Sequence, residues 1–163
     1  MYKLLFDSDA LIKISKAGFL GLLSDTFDIC TTDDVYNEAV KQGRERLYED
    51  ANKIGDLTEK NKILVIKREK YSKKLKPKKS FGRGEISVFQ AYRKGYLVVT
   101  DDLSFTTYLN EMSIKNVSPA HLIIALMKKS EISKEKAFYY LGNLKPLIRK
   151  EIFEQVNKDI KGG

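Results

Sequence analysis

The chain has 163 residues, of which 42% are hydrophobic and 32% are charged, a balance typical of one folded globular domain and not of a disordered chain. No apolar run approaches the roughly 20 residues that cross a bilayer, and a single cysteine and a single histidine exclude an internal disulfide framework and a His-rich zinc site. The formal net charge of +8 favours a polyanionic partner such as a nucleic acid.

The same counts predict a compartment and a type of metal. Cys30 fits a reducing cytoplasm, and Asp7 interrupts the apolar N-terminus, so we expect a cytoplasmic protein without a signal peptide or a membrane segment. With one Cys and one His, any metal site must be built from carboxylates. Carboxylate oxygens are hard ligands that suit Mg²⁺ or Mn²⁺.

The chain opens on a short apolar run that ends in an acid. Residues 2–6 predict a buried strand, and Asp7 and Asp9 follow it directly. Ser8 is the predicted N-cap of the first helix, which Gly18 ends. A second short helix over residues 19–23 leads to a strand over 27–31. A strand that delivers Asp to the edge of a sheet is a common way for α/β enzymes to present an acid to a metal or a phosphate.

The next predicted helix carries an acid on its apolar face. It begins at the N-cap Asp33 and runs to about Gln42, and the spacing of Val35, Glu38 and Ala39 puts all three on one side. A carboxylate that points toward a core is costly unless it is paired or binds a metal. The alternative is that Glu38 sits at the rim and reaches water.

A helix over residues 44–61 is predicted next, with Leu47, Ala51 and Ile54 as its apolar face, and a strand over 63–66 follows. Residues 67–83 then form a basic loop with nine Lys or Arg against the single acid Glu69. This loop either keeps the protein soluble or clamps an RNA backbone by releasing counterions. The candidate RNA-binding residues are Lys73, Lys74, Lys78, Lys79 and Arg83.

Three further acids lie at the start or the end of predicted elements. Glu85 lies in the first turn of a helix that runs to Lys94, where a negative charge is favourable in itself. Residues 96–100 form the best strand of the sequence, which ends in Asp101 and Asp102 before a helix over 103–112. A last short strand near 114–117 and helices over 120–129, after Ser133 and from Pro146 to 160 complete the chain, with His121 as a surface or capping residue.

This alternation predicts one domain over residues 1–163, an α/β/α sandwich with a central, mostly parallel sheet of about five strands. In such sheets the functional crevice lies at the carboxyl ends of the strands. Four carboxylates gathered there would repel each other, and one or two divalent ions would relieve that repulsion and could activate water on a phosphodiester. The acids in question are Asp7, Glu38, Glu85 and Asp101 or Asp102, with the hydroxyls of Ser8 and Thr100 beside them.

Four stretches together resemble a PIN domain: Leu-Leu-Phe-Asp7-Ser-Asp-Ala-Leu-Ile, Val35-Tyr-Asn-Glu38-Ala-Val, Gly84-Glu85-Ile-Ser-Val and Val-Val-Thr100-Asp101-Asp102. The resemblance implies a ribonuclease that depends on Mg²⁺ or Mn²⁺. It implies Asp7, Glu38, Glu85 and Asp102 as the catalytic acids. It also implies a metal held by Asp7, Glu85, Asp101 and Asp102, with Ser8, Asp9 and Thr100 in support.

The tail, from Val117-Ser-Pro-Ala-His-Leu onward, resembles a prokaryotic subgroup related to the VapC toxins, which implies a homodimer and a small antitoxin as partners. The stretch from Arg44 to Arg83 is longer than in compact toxins. Two alternatives stay open. One is a haloacid-dehalogenase-like phosphatase with Asp7 as nucleophile and Asp9 as acid/base. The other is a non-catalytic PIN-like module that binds RNA or protein.

Overall fold

The structure is a computed structural model, and it describes residues 1–72, 77 and 80–163. Among these residues, five strands form one sheet in the order β3-β2-β1-β4-β5, and every pair of neighbours is parallel. The predicted sheet, expected to be mostly parallel with about five strands, is confirmed. The strands are β1 (Lys3–Phe6), β2 (Ile29–Thr32), β3 (Ile63–Ile66), β4 (Tyr96–Val99) and β5 (Asn116–Val117).

Helices connect the strands and cover both faces of the sheet, which gives the predicted α/β/α arrangement. A π-helical segment, Asn37–Gln42, joins the third helix to the fourth, and short 3-10 turns span Arg68–Lys70 and Lys145–Leu147. The described helices are α1 (Ser8–Ala17), α2 (Leu20–Thr26), α3 (Asp33–Tyr36), α4 (Gly43–Glu45), α5 (Glu49–Glu59), α6 (Arg83–Ala91), α7 (Leu103–Glu111), α8 (His121–Lys128), α9 (Lys134–Leu144) and α10 (Lys150–Gly162).

The sheet has its topological switch point at β1. The chain moves outward from β1 through β2 to β3, then crosses back so that β4 pairs on the other side of β1. Phe6 and Val99 are register partners, and the backbone N–H of Asp7 donates to the Val99 carbonyl at 3.2 Å. Asp7 and Thr100 therefore leave the sheet side by side, at the place where parallel α/β sheets form their ligand crevice.

The two central strands are among the most buried parts of the molecule. Leu5, Phe6, Val98 and Val99 are all 0% exposed. Full burial of side chains of this size is worth about 1.5–3 kcal/mol each. The acids that follow these strands are consequently attached to fully buried strand ends.

Two helix starts differ from the sequence prediction, and both matter for the site. Asp7, not Ser8, is the N-cap of α1, because its Oδ1 accepts from the Ala10 N–H at 2.8 Å. Likewise Thr32, not Asp33, caps α3 by accepting from the Val35 N–H at 3.2 Å. As the first helical residue, Ser8 keeps its hydroxyl free for another partner.

The predicted helix over residues 44–61 is interrupted at residues 46–48, which divide it into α4 and α5. The chain turns at Arg46–Tyr48, where Leu47 has a φ of 60° and a side chain that is 91% exposed, so Leu47 is not part of the core. Gly43 does not end the preceding helix. A Cβ there would lie 2.7 Å from the Ala51 Cβ, so glycine allows α4 to pack closely on α5.

The other boundaries agree with prediction to within a few residues, apart from the last helix. Gly18 adopts a φ of 91° and ends the first helix, and Ser133 caps α9 through the Lys136 N–H at 3.1 Å. Pro146 lies in a 3-10 turn, and α10 begins four residues later, at Lys150. Within the described residues, no helix is both long enough and apolar enough to span a membrane.

Candidate active site

Asp7 is the most perturbed acid at the carboxyl edge of the sheet. Its side chain is buried, with the residue only 4% exposed. Burial raises the pKa of the Asp7 carboxyl to about 7, and the charges of Asp9 and Glu85 raise it in the same direction. Hydrogen bonds from Thr100 and from the Ala10 N–H lower this pKa, but their effect is smaller than that of burial. A group tuned in this way, next to other carboxylates, is the expected signature of a functional site.

Both oxygens of Asp7 are held in place. Oδ1 caps α1, and Oδ2 accepts from the Thr100 Oγ1 hydroxyl at 2.5 Å. Thr100 is itself buried and also accepts from the Asp102 N–H at 3.3 Å. Thr100, predicted as a supporting residue, therefore links the ends of β1 and β4.

Glu38 is paired, so it does not simply reach water from the rim of its helix. Its Oε2 accepts from the Ser8 hydroxyl at 2.8 Å, and its Oε1 accepts from the Gly84 N–H at 3.1 Å. A Cβ on Gly84 would lie 2.9 Å from Oε2, so only glycine lets the carboxylate come this close to the start of α6. Glu38 thus ties α1 to α6 across the crevice.

Glu85 lies in the first turn of α6, near these groups. Its charge contributes to the raised pKa of Asp7, which places the two carboxylates within electrostatic reach of each other. Its Oε2 lies close to Gly82, since a Cβ added at Gly82 would be only 2.8 Å from this oxygen. Among the described residues, no hydrogen bond or ion pair engages the Glu85 carboxylate, which leaves it available to a ligand.

Asp101 is the more buried of the two acids after β4, with a side chain that is 2% exposed. Its Oδ2 lies 2.8 Å from the Lys13 Nζ, and the same ammonium lies 2.8 Å from Asp9 Oδ2. Its Oδ1 is buried and has no hydrogen-bond partner among the described residues. Asp9, predicted as a supporting residue, is mostly exposed and contacts Asp101 only indirectly, through the shared Lys13 ammonium.

Asp102, predicted as the main fourth acid, is exposed and begins α7. Its Oδ1 accepts from the Phe105 N–H at 2.7 Å as the helix N-cap, while Oδ2 has no partner among the described residues. One oxygen of Asp102 is therefore free to face solvent or a ligand. Asp101, in contrast, already has a cation.

Sequence reasoning missed Lys13. The available signal was its i, i+4 spacing from Asp9 on the first helix, but its second partner, Asp101, is 88 residues away in the chain. It also missed a hydroxyl pair beneath the site, in which Thr32 Oγ1 and Ser87 Oγ lie 2.6 Å apart. That buried pair ties the end of β2 to α6, and hence fixes the helix that carries Glu85.

The proposed RNA clamp can be described only at its ends. Lys73, Lys74, Lys78 and Lys79 lie outside the described residues, whereas Arg83 is the exposed first residue of α6. Toward the N-terminal end of the basic stretch, Arg68 donates to Asp34 at 2.6 Å and the Tyr71 hydroxyl donates to the same carboxylate at 3.1 Å. Toward its C-terminal end, the Phe81 ring packs on Phe105 with centroids 5.3 Å apart. The basic stretch thus starts and ends on structured residues.

The chemistry of these acids is suited to binding a hard divalent ion. Asp7 is destabilised as an anion by burial and by its acidic neighbours, and Asp101 has an orphan buried oxygen, so an added cation would relieve both. Across the described parts of the chain, however, no three Asp, Glu, His or Cys side chains are placed so that they could hold a metal as they stand. Binding would need side-chain adjustment by Glu85 or Asp102, both of which have free oxygens.

Comparison with protein-family models gives a match over residues 3–159 to a family described as a PIN domain. A search of curated proteins found no match. The matched range contains every acid of the site and nearly the whole chain.

Proposed function

The chain belongs to the PIN domain family, whose members are usually nucleases, and from this premise we propose that it is a metal-dependent endoribonuclease that hydrolyses RNA phosphodiester bonds. The observation that supports this most is the set of contacts joining the four acidic motifs at the switch point of the sheet. Asp7 and Asp102 meet through Thr100, Glu38 joins Ser8 to Gly84, and Glu85 lies within electrostatic reach of Asp7.

Each acid has a proposed role. When bound, Mg²⁺ or Mn²⁺ would supply a Lewis acid that activates water and stabilises the leaving oxygen. Thr100 orients the Asp7 carboxylate, Ser8 and the Gly84 N–H orient Glu38, and Lys13 neutralises Asp101. The residues that would hold the ion are Asp7, Glu85, Asp102 and, as an auxiliary ligand, Asp101.

The phosphatase alternative receives less support from this arrangement. It requires Asp9 as an acid/base next to a nucleophilic Asp7. The Asp9 side chain is 59% exposed and pairs with Lys13, and both oxygens of Asp7 already accept hydrogen bonds. The family match is to PIN domains.

We expect labelled single-stranded RNA to be cleaved in the presence of Mg²⁺ or Mn²⁺, and EDTA to abolish cleavage. Glu85→Gln should lower the rate about 100-fold or more, because it removes a charge that has no structural partner within the described chain. Glu45→Gln, an exposed acid on α4, is the matched control and should cleave like the parent. Cleavage that persists in EDTA would falsify the metal dependence of the proposed nuclease, and RNA binding without cleavage would favour the non-catalytic alternative.

The basic loop is proposed to hold the RNA backbone. Replacing Lys73, Lys74, Lys78 and Lys79 with Gln should weaken RNA binding and reduce the slope of log K against log salt, by about 0.7 for each phosphate of a single strand that the variant no longer neutralises. Fluorescence anisotropy over a salt series measures this slope. An unchanged slope would mean that the loop only keeps the protein soluble.

The finer proposal is a cytoplasmic toxin of the VapC type, paired with a small antitoxin and able to dimerise. It rests on the resemblance of the tail, and it is compatible with the exposed apolar side chains of Leu47 and Tyr48, which are 91% and 55% exposed. Expression in a bacterial host should arrest growth, and Glu85→Gln should remove the arrest. Normal growth under expression of an active nuclease would count against a toxin.

A further inference from the structure

A second crevice lies next to the acidic site, on the β5 side of β4. It has a volume of about 290 Å³, and it shares Thr100 with the acidic site. Thr100 is the residue whose hydroxyl orients Asp7, so the two sites are separated by one side chain. The polar groups that line the crevice come from the ends of β4 and β5 and the starts of three helices: Thr100, Thr106, Asn116, Ser118, His121 and Arg149.

The lining of this crevice has an unusual charge balance. The chain contains 22 acidic residues, yet none of the described residues that line the crevice is acidic. Among these lining residues, the only formal charge is the guanidinium of Arg149. A crevice with one cation, several hydroxyl and amide groups and no carboxylate is suited to an anion.

Arg149 has no paired acid among the described residues. Its Nε is buried and has no hydrogen-bond partner, and no ion pair or hydrogen bond engages its side chain anywhere in the described part of the chain. A buried donor without a partner is costly, so such a group in a folded protein calls for an explanation, and a ligand is a common one. The neighbouring polar side chains do not provide a partner for the Arg149 Nε. Ser118 Oγ pairs with His121 Nδ1 at 2.7 Å, and Asn116 Nδ2 donates to Asn110 Oδ1 at 2.7 Å.

We propose that this crevice is a subsite for one phosphate group of the RNA backbone, held by the Arg149 guanidinium and the Thr106 hydroxyl beside the scissile linkage. The Thr106 side chain has no hydrogen bond among the described residues and is free to donate. The subsite rests on the proposed function for its ligand class. It would fix the register of the strand, because a phosphate bound here places its neighbour over the acids on the other side of Thr100.

Binding is measured separately from cleavage. RNA binding is measured in EDTA, and every protein carries Glu85→Gln so that the RNA is not cleaved. Fluorescein-labelled single-stranded RNA is titrated with Glu85→Gln alone, as the reference, and with the same protein carrying Arg149→Met, Arg149→Lys or Lys150→Met. Lys150 is adjacent, exposed and paired only with Glu154 at 3.8 Å among the described residues, so it provides the same change of net charge outside the crevice. We expect Arg149→Met to weaken binding about ten-fold and Lys150→Met about two-fold or less, with partial recovery in Arg149→Lys.

A second arm locates the contact. A set of oligonucleotides is compared, each with one uncharged methylphosphonate at a different position around the cleaved linkage. The parent should bind about ten-fold more weakly at one position only, and Arg149→Met should be insensitive at that position, because the partner has already been removed. If Arg149→Met does not fold, Arg149→Lys must show the reduced sensitivity.

Equal affinities for Arg149→Met and Lys150→Met, or an equal weakening at every methylphosphonate position, would overturn the subsite. Inorganic phosphate that competes as well as the oligonucleotide would identify free phosphate as the ligand and overturn the assignment to RNA. These failures leave the nuclease proposal intact, since cleavage by the parent is judged in the assay with Mg²⁺ or Mn²⁺. Conversely, absence of cleavage in that assay leaves the binding measurement valid.

Discussion

Asp7→Asn is expected to abolish RNA cleavage and to make the metal-free protein more stable. The carboxylate is a proposed metal ligand, so its removal should lower the cleavage rate about 100-fold or more. An Asn side chain has the same shape. Its Oδ1 can still accept from the Ala10 N–H, and its Nδ2 can donate to the Thr100 hydroxyl. The substitution therefore removes a buried charge, keeps the hydrogen bond from the Ala10 N–H and reverses the direction of the one with Thr100.

The direction of the stability change follows from the pKa of Asp7. Burial raises this pKa from 3.8 to about 7 in the folded protein, so the folded state binds a proton that the unfolded state releases between these two values. The parent should thus lose stability as the pH rises from about 4 through 7, by roughly 4 kcal/mol if the whole shift of about 3 units is expressed. Asp7→Asn cannot lose this contribution, so at pH 8 in EDTA its Tm should be about 8–16 °C higher, at about 2–4 °C for each kcal/mol in a domain of this size.

Thermal unfolding of both proteins between pH 5 and pH 8 tests this expectation. The difference in Tm should grow with pH in EDTA and shrink or reverse when Mn²⁺ is added, since the ion stabilises only the protein that binds it. Glu45→Gln, at an exposed acid of α4 that does not contribute to the pKa shift of Asp7, is the control and should leave the pH dependence close to that of the parent. A Tm difference that does not vary with pH would show that Asp7 is charged in the folded state throughout.

The second large effect is expected for Asp102→Asn, which should lower cleavage about 100-fold while leaving the Tm within about 2 °C of the parent. Asn is as good an N-cap as Asp, so the bond to the Phe105 N–H is retained and only the charge is removed. Asp102→Ala would remove the cap as well and should cost a further ~1 kcal/mol of stability. The two variants together separate the chemistry of Asp102 from its structural role.

Asp101→Asn provides the matched comparison at the adjacent acid. It breaks a buried pair with Lys13 and should destabilise the protein by about 1–3 kcal/mol, less than for a fully isolated pair because Lys13 keeps Asp9 as a partner. Cleavage rates are compared under conditions where each variant is folded. A large drop in activity in Asp101→Asn together with full activity in Asp102→Asn would make Asp101 the fourth acid of the site.

The alternation of apolar runs and helical patterns is enough to predict the α/β/α sheet, because strands such as β1 and β2 are short buried runs and helices such as α1 and α9 have local capping signals. The acids after β1 and β4 could be predicted for the same reason, since a strand's carboxyl end is defined by its own sequence. The break at residues 46–48 could not be predicted, because Leu47 is in helical spacing with Ala51 and its local pattern does not indicate the φ of 60° that it adopts.

The sequence alone predicts which acids belong to the proposed site, namely Asp7, Glu38, Glu85, Asp101 and Asp102, and the chemistry of carboxylates predicts their preference for a hard cation. Only the tertiary structure decided how these acids differ from one another. Strand order placed Asp7 beside Thr100, a close approach at Gly84 paired Glu38, and Lys13 neutralised Asp101 from 88 residues away. The protonation and availability of a carboxylate depend on burial and on partners distant in the chain, and local pattern carries no information about either.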